Sequence, residues 1–229
     1  MMKKYKFLLF DADNTLLDFT KAEDTAIRMT MSAFGITPTD ELCKSYSRIN
    51  DGLWKALERK EVTKEELKIK RFELFLKENS LSADHVLMAK QYTSNLSTQP
   101  YVINGARELL LSLEEDYEIY IITNGIGFVQ RGRIGASEIN GLYKKLYISE
   151  EIGFEKPDIR YFERVFADIE NFDKKRALII GDSLSSDIRG AVNCGIDSCY
   201  FTPAGKMAMG EIQPTYTITK LSQLHNILN

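Results

Sequence analysis

Five short apolar runs, Lys6–Phe10, Glu118–Ile122, Leu146–Ser149, Arg176–Ile180 and Ser198–Phe201, each stop at polar or turn-forming residues. Runs of this length with little polar alternation are what strands buried on both faces look like, as in a parallel sheet covered by helices. A sixth and weaker run is Tyr216–Thr219. Between the later runs lie segments of helical character, such as Asp158–Ile169 and Ser186–Val192. This alternation predicts an α/β fold, a doubly wound and mostly parallel sheet. Open sheets of that kind bind ligands beyond the carboxyl ends of their strands.

About 100 residues separate the first two runs, far more than one crossover helix needs, and most of them read as helix. The pattern predicts a helical bundle inserted over residues 18–96, with residues 1–17 and 97–229 forming the α/β core. Within the insert, Leu42, Tyr46, Ile49, Leu53 and Leu57 recur at steps of three and four, and Thr63 with Glu66 has capping-box spacing. Tyr46, Trp54 and Phe72 are read as packing inside that bundle, with the alternative that some of them face a substrate.

The composition excludes several classes. With 44% hydrophobic and 28% charged residues, the 229-residue chain has the make-up of a soluble globular protein. Its net charge of −3, with the signs mixed along the chain, gives no basic stripe for long nucleic acid. Cys43, Cys194 and Cys199 lack the paired spacing of a zinc site or a disulfide framework. The apolar part of the first segment ends at Asp11, too short for a signal peptide, and no stretch approaches the roughly 18 apolar residues of a membrane span. A cytoplasmic location is the expectation, and the oligomeric state is left open.

Each apparent strand end carries polar residues of a particular kind. Asp11 and Asp13 follow the first run, and Thr123, Asn124 and Gly125 follow the second. Lys156 and Pro157 come shortly after the third, and Gly181, Asp182 and Asp187 follow the fourth. Any one carboxylate at such a place is more often a helix cap than a catalyst. Four sets at successive strand ends point to one cleft.

Cleaving a phosphomonoester calls for this kind of set. An anionic carboxylate must approach a phosphoryl group that is itself about doubly negative at neutral pH. A cation held by Asp11 and Asp182, with hard oxygen donors that suit Mg²⁺, and the ammonium of Lys156 would offset the repulsion. Asp11 is then the candidate nucleophile and Asp13 the candidate acid and base, while Thr123 and the backbone N–H groups of the second strand end suit phosphate oxygens.

At these residues the chain resembles the haloacid dehalogenase superfamily. DADNTLLD at 11–18 is similar to its first motif, Thr123 to its second, Lys156 to its third and GDSLSSD at 181–187 to its fourth. The helical insert directly after the first motif resembles the type C1 cap. The resemblance implies an aspartyl-phosphate at Asp11, acid–base catalysis by Asp13, and phosphate contacts from Thr123, Asn124 and Lys156. It also implies Mg²⁺ held by Asp11, the Asp13 carbonyl and Asp182, with Asp187 supporting the metal through water or orienting Lys156. The segments INDGLWKALERKEVTKEELKIKRF, TNGIGFVQ and ISEEIGFEKPD are similar to the bacterial branch that includes pyrimidine 5′-nucleotidases. The substrate expected is therefore a small phosphorylated metabolite, with Gly125 beside the phosphate, Asn50, Trp54 and Arg71 as the candidate cap positions, and a solvated or salt-bridged helix residue as the alternative reading of Arg71.

Two departures from the family pattern stand out. Asn14 occupies a position where many relatives have glycine, and asparagine tolerates the unusual backbone angles of such a turn. Gly132 and Gly135 fall within the helix expected after the second strand, each at a cost of roughly 1 kcal/mol relative to alanine. A distorted or mobile helix is expected there. Three other readings compete: a haloalkanoate dehalogenase, which lacks the second carboxylate that Asp13 supplies here; a phosphosugar mutase, which returns the phosphoryl group to substrate; and a module that binds a phosphorylated ligand without turnover.

Overall fold

The computed structural model of the chain describes residues 4–205, 208 and 210–228. Six strands, β1 (Phe7–Asp11), β2 (Glu118–Thr123), β3 (Lys145–Ile148), β4 (Ala177–Gly181), β5 (Asp197–Phe201) and β6 (Tyr216–Ile218), form one sheet. Its order is β3-β2-β1-β4-β5-β6 and every neighbouring pair is parallel. All six expected runs are strands, with bounds displaced by at most two residues. β1 and β4 are buried along their whole length, as the unbroken apolar runs require.

Alternation along β1 sets the two faces of the sheet. Leu8 and Phe10 point into one core with Ile119, Ile121, Leu178 and Ile180. Phe7 and Leu9 point into the other, with Ile122, Ile179 and a helix that supplies Tyr161, Phe162 and Val165. The chain runs outward from β1 in both directions, so the order reverses between β1 and β4. That is where an open α/β sheet leaves a crevice at its carboxyl edge.

Between β1 and β2 lie α1 (Phe19–Ala33), α2 (Asp40–Glu58), α3 (Lys64–Glu78), α4 (His85–Ser97) and α5 (Ala106–Leu113). The first four have side-chain N-caps at Asp18, Thr39, Thr63 and Asp84, and the Thr63–Glu66 capping box is formed. Their apolar faces meet in a third core around Tyr46, Phe72 and Tyr92, whose rings lie 5.1–5.5 Å apart. α6 (Gly127–Gly135) follows β2 and sends Ile126 and Val129 into that same core, so it bridges sheet and insertion. α7 (Ser149–Ile152), α8 (Ile159–Asp168), α9 (Arg189–Cys194) and α10 (His225–Leu228) complete the chain. Among the described residues no helix is long and apolar enough to cross a membrane. The three cysteines are buried and free.

α6 is a regular helix, and Gly132 has a packing reason. A Cβ there would stand 2.6 Å from the carbonyl oxygen of Ser97 and 3.1 Å from its Cβ, so only glycine lets α6 lie against the end of α4. Around Gly135, the last residue of the helix, a Cβ would meet nothing within 4 Å. Gly132→Ala is expected to destabilise the fold by about 1–3 kcal/mol through overpacking against backbone. Gly135→Ala should be neutral or stabilising by up to about 1 kcal/mol. Thermal unfolding of the two variants checks the contrast.

Candidate active site

Strand ends β1, β2 and β4 and the loop after α7 converge on one cleft of about 680 Å³, lined among others by Asp11, Asp13, Thr123, Lys156, Asp182 and Asp187. Lys156 is its centre. The side chain is 1% exposed, and Nζ donates to Asp11 Oδ1 at 2.6 Å, Asp187 Oδ1 at 2.7 Å and the Ile122 carbonyl at 3.0 Å. Three acceptors satisfy the three ammonium protons.

The backbone around Lys156 is held by Asn124. Its Oδ1 accepts from Lys156 N at 2.9 Å and its Nδ2 donates to the Lys156 carbonyl at 2.8 Å. An amide presents the donor and acceptor that a peptide unit needs, so Asn124 holds the Lys156 peptide in place. The Lys156–Pro157 bond is cis. Gly125, on the cleft wall, donates its N–H to Thr123 Oγ1 at 3.0 Å, so it is not a free donor either. Thr123 Oγ1 also accepts from Gln130 Nε2 at 2.7 Å. With both lone pairs engaged, the hydroxyl proton of Thr123 is left for another acceptor.

β4 ends in Gly181 because a Cβ there would stand 2.2 Å from Asp187 Oδ2. The segment expected as helix from Ser186 begins earlier, as a π-helical turn over Leu184–Ile188 that leads into α9. The wide turn brings the Asp187 carboxylate back to Ser183 N at 3.1 Å and to Lys156. At the end of β1, Asn14 adopts φ +58°, and its Oδ1 accepts from Thr20 N and Oγ1 at 3.2 Å each.

The site carries more buried negative charge than Lys156 balances. Burial drives the Asp11 carboxyl well above its ordinary pKa; Lys156 opposes the shift, and the Asp187, Asp182 and Asp13 carboxylates add to it. Burial and the Asp187 charge push Asp182 up to about 7. Burial alone would drive the Lys156 ammonium down, but Asp11 and Asp187 overcome it and hold its pKa above the usual lysine value. Both partners of the ion pair are raised, Asp11 above all by burial and Lys156 by the two carboxylates it faces. Asp11, Asp182 and Asp187 can each bring one carboxylate oxygen within 4.8 Å of the others. A hard, all-oxygen donor set with uncompensated charge fits Mg²⁺.

The three insertion residues separate. Trp54 on α2 is half-buried and lines the cleft with Phe19 and Asp51. Asn50 and Arg71 do not line it: both are buried within the insertion, where Arg71 Nη1 donates to Asn50 Oδ1 at 3.1 Å and Asn50 Nδ2 donates to Glu23 Oε1 at 2.7 Å. Arg71 also stacks over the Tyr92 ring at 4.5 Å.

Three residues at the site escape the sequence analysis. Gln130 Nε2 donates to Asp13 Oδ2 at 2.6 Å, and Arg133 Nη1 donates to Asp13 Oδ1. Their spacing of three on the helix after Thr123 is the signal that could have found them. Lys64, the first residue of α3, is buried and reaches across to the Asn124 carbonyl at 2.9 Å, Ser149 Oγ at 2.8 Å and Glu155 at 3.0 Å. A lysine in the first turn of a helix opposes the helix dipole, which marks it as placed for another purpose. It borders a second cavity, of about 910 Å³, between α3 and the loop after α7, which Lys156 also lines.

Comparison with known proteins agrees with this geometry. Residues 8–201 match the family model for haloacid dehalogenase-like hydrolases. The chain is 40% identical over 228 residues to YfnB of Bacillus subtilis (strain 168), named as a HAD-hydrolase, covering 100% of this chain and 97% of that protein. It is 37% identical over 226 residues to the pyrimidine 5′-nucleotidase PynA of Streptococcus pneumoniae, covering 98% and 95%. It is 28% identical over 225 residues to the pyrimidine 5′-nucleotidase YjjG of Escherichia coli (strain K12), covering 98% of each. A crystal structure of YfnB bound to magnesium superposes with a TM-score of 0.95 over 99% of this chain and 100% of that one. The chain belongs to the haloacid dehalogenase-like hydrolases.

Proposed function

We propose that this enzyme is a Mg²⁺-dependent phosphomonoesterase that works through an aspartyl-phosphate on Asp11, as a cytoplasmic enzyme acting on a pyrimidine nucleoside 5′-monophosphate. Residues 1–17 and 97–229 are the catalytic core and residues 18–96 the cap. The observation that carries the reading is the buried Asp11–Lys156–Asp187 arrangement at 2.6 and 2.7 Å, with Asp13, Thr123 and Asp182 on the same cleft. A pure binding module has no use for a buried nucleophile beside a second carboxylate.

In this scheme an Asp11 carboxylate oxygen attacks phosphorus in line with the ester oxygen. The bond from phosphorus to Asp11 forms as the ester bond breaks, and Asp13 gives its proton to the departing alkoxide. Water then attacks the same phosphorus, Asp13 takes its proton, and phosphate leaves with Asp11 restored. The Thr123 hydroxyl holds a phosphate oxygen, and the Lys156 ammonium places positive charge beside the phosphoryl group. Asp11, the Asp13 carbonyl and Asp182 would hold Mg²⁺, with Asp187 as their support. When bound there, Mg²⁺ supplies positive charge that offsets repulsion between Asp11 and a phosphate dianion.

The nucleotide reading rests on the names of PynA and YjjG and on Trp54, an aromatic side chain lining the cleft that can stack a base. Phosphate release from nucleoside monophosphates, sugar phosphates and an aryl phosphate, with and without Mg²⁺, tests it. Release should fall to background with a chelator, return with added Mg²⁺ and be fastest on pyrimidine monophosphates. A preference for sugar phosphates overturns the substrate, and metal-independent release overturns the chemistry. Stacking of a base on an aromatic side chain is worth about 1–3 kcal/mol. Trp54→Ala is therefore expected to raise KM for the nucleotide roughly tenfold while leaving the aryl phosphate little changed, a difference that steady-state kinetics reads directly.

A further inference from the structure

Neither Gln130 nor Arg133 lines the cleft, yet both are fully buried and both spend a donor on the same carboxylate. Gln130 Nε2 bridges Asp13 Oδ2 at 2.6 Å and Thr123 Oγ1 at 2.7 Å, using its two amide protons on two groups of the cleft. Arg133 donates through Nη1 to Asp13 Oδ1 and through Nε to the Gln99 carbonyl at 3.1 Å. Gln99 lies just after α4, where the chain returns from the insertion to the core. Burying a guanidinium is costly unless it is paired; its partners here are Asp13, the Gln99 carbonyl and, at 3.4 Å, Gln130 Oε1, while among the described residues Nη2 has none. Gly132, between the two residues, lets α6 approach Ser97 closely enough for Arg133 to reach Gln99.

We infer that Gln130 and Arg133 are positioning residues, a clamp from α6 that fixes the Asp13 carboxylate and registers it against the segment joining insertion to core. A carboxylate has about four lone-pair sites. The clamp occupies one on each oxygen, which sets the rotation of the group and leaves the others for the substrate oxygen and the hydrolytic water. The same amide that holds Asp13 orients Thr123, so acid–base group and phosphate contact are aligned together. This inference rests on the proposed role of Asp13.

The test combines Arg133→Met, Arg133→Lys, Asp13→Asn and the double variant Arg133→Met/Asp13→Asn, each checked for fold by circular dichroism and thermal unfolding. General acid–base groups contribute about 10²–10⁴-fold. Arg133→Met is expected to lower kcat on an alkyl phosphate roughly ten- to a hundredfold with KM nearly unchanged. An aryl phosphate, whose leaving group needs less protonation, should lose less. Arg133→Lys should recover part of the loss. The double variant should be no slower than Asp13→Asn alone, because a residue that acts only through Asp13 has nothing left to align.

Multiplying losses in the double variant, or equal losses on alkyl and aryl phosphates, overturn the clamp and leave Arg133 a structural residue. If Arg133→Met does not fold, Gln130→Met, which keeps the length and removes the amide, is put through the same comparison, and full activity in it overturns the clamp as well. Should Asp13→Asn itself retain full activity, the acid–base assignment of Asp13 fails, and that outcome is distinct from a failure of the clamp alone.

Discussion

Asp11→Asn is expected to lower kcat for phosphate release by at least about 10⁴-fold, the scale seen when a covalent nucleophile is removed. The fold should survive. Asparagine keeps the volume of the side chain, and Lys156 retains its bonds to Asp187 and to the Ile122 carbonyl. Burial already disfavours the charge on Asp11, so the neutral amide removes a cost rather than adding one. Thermal stability equal to or above that of the parent, together with loss of turnover, is the expected pair of results. Circular dichroism and a phosphate assay read both.

Lys156→Met should cost both activity and stability. The ammonium is the cation bonded to Asp11 and Asp187, and methionine leaves those two carboxylates buried without that counter-charge. Removing one member of a buried ion pair typically costs about 3–5 kcal/mol. For a chain of this size each kcal/mol shifts Tm by roughly 2–4 °C, so the variant should melt about 6–20 °C below the parent. Activity should fall by roughly 10²–10³-fold, since positive charge beside the transferring phosphoryl group is lost. Differential scanning calorimetry and single-substrate kinetics check the two effects. A variant as stable as the parent would mean that Asp11 and Asp187 do not depend on Lys156 for compensation.

The fold was legible because strands buried on both faces leave little choice of residue. β1 is apolar as far as Asp11, its last residue, and β4 as far as Gly181, just before Asp182, so their limits are written in composition. The helical insertion was legible from the apolar steps of α2 and from its capping residues. Orientation within it was not. Asn50 and Trp54 lie one turn apart on α2, yet Asn50 turns into a buried network with Glu23 and Arg71 while Trp54 meets the cleft. Periodicity marks the apolar stripe of a helix but not which of its polar neighbours faces a ligand and which faces another helix.

The strand-end residues were legible as a set, though their division of labour was not. Asn124 has the chemistry of a phosphate ligand and also that of a peptide clamp, and only the position of the loop carrying Lys156 decides for the clamp. The turn at Leu184–Ile188 departs from the helix expected at Ser186 because Asp187 must fold back onto Ser183 and Lys156, a long-range demand with no local signature. Gln130 and Arg133 were hidden for a related reason. Their neighbour Gly132 reads as a helix breaker, whereas its function is to admit close packing against Ser97.

The most direct test of the account is to mix the enzyme with Mg²⁺ and a pyrimidine nucleoside monophosphate, quench in acid on the timescale of one turnover, and map the phosphoryl group by peptide mass spectrometry. A single acid-trapped phosphoryl group is expected on the peptide carrying Asp11, absent without Mg²⁺ and absent in Asp11→Asn. Full turnover with no phosphorylated peptide, or with the phosphoryl group on any other residue, would contradict it.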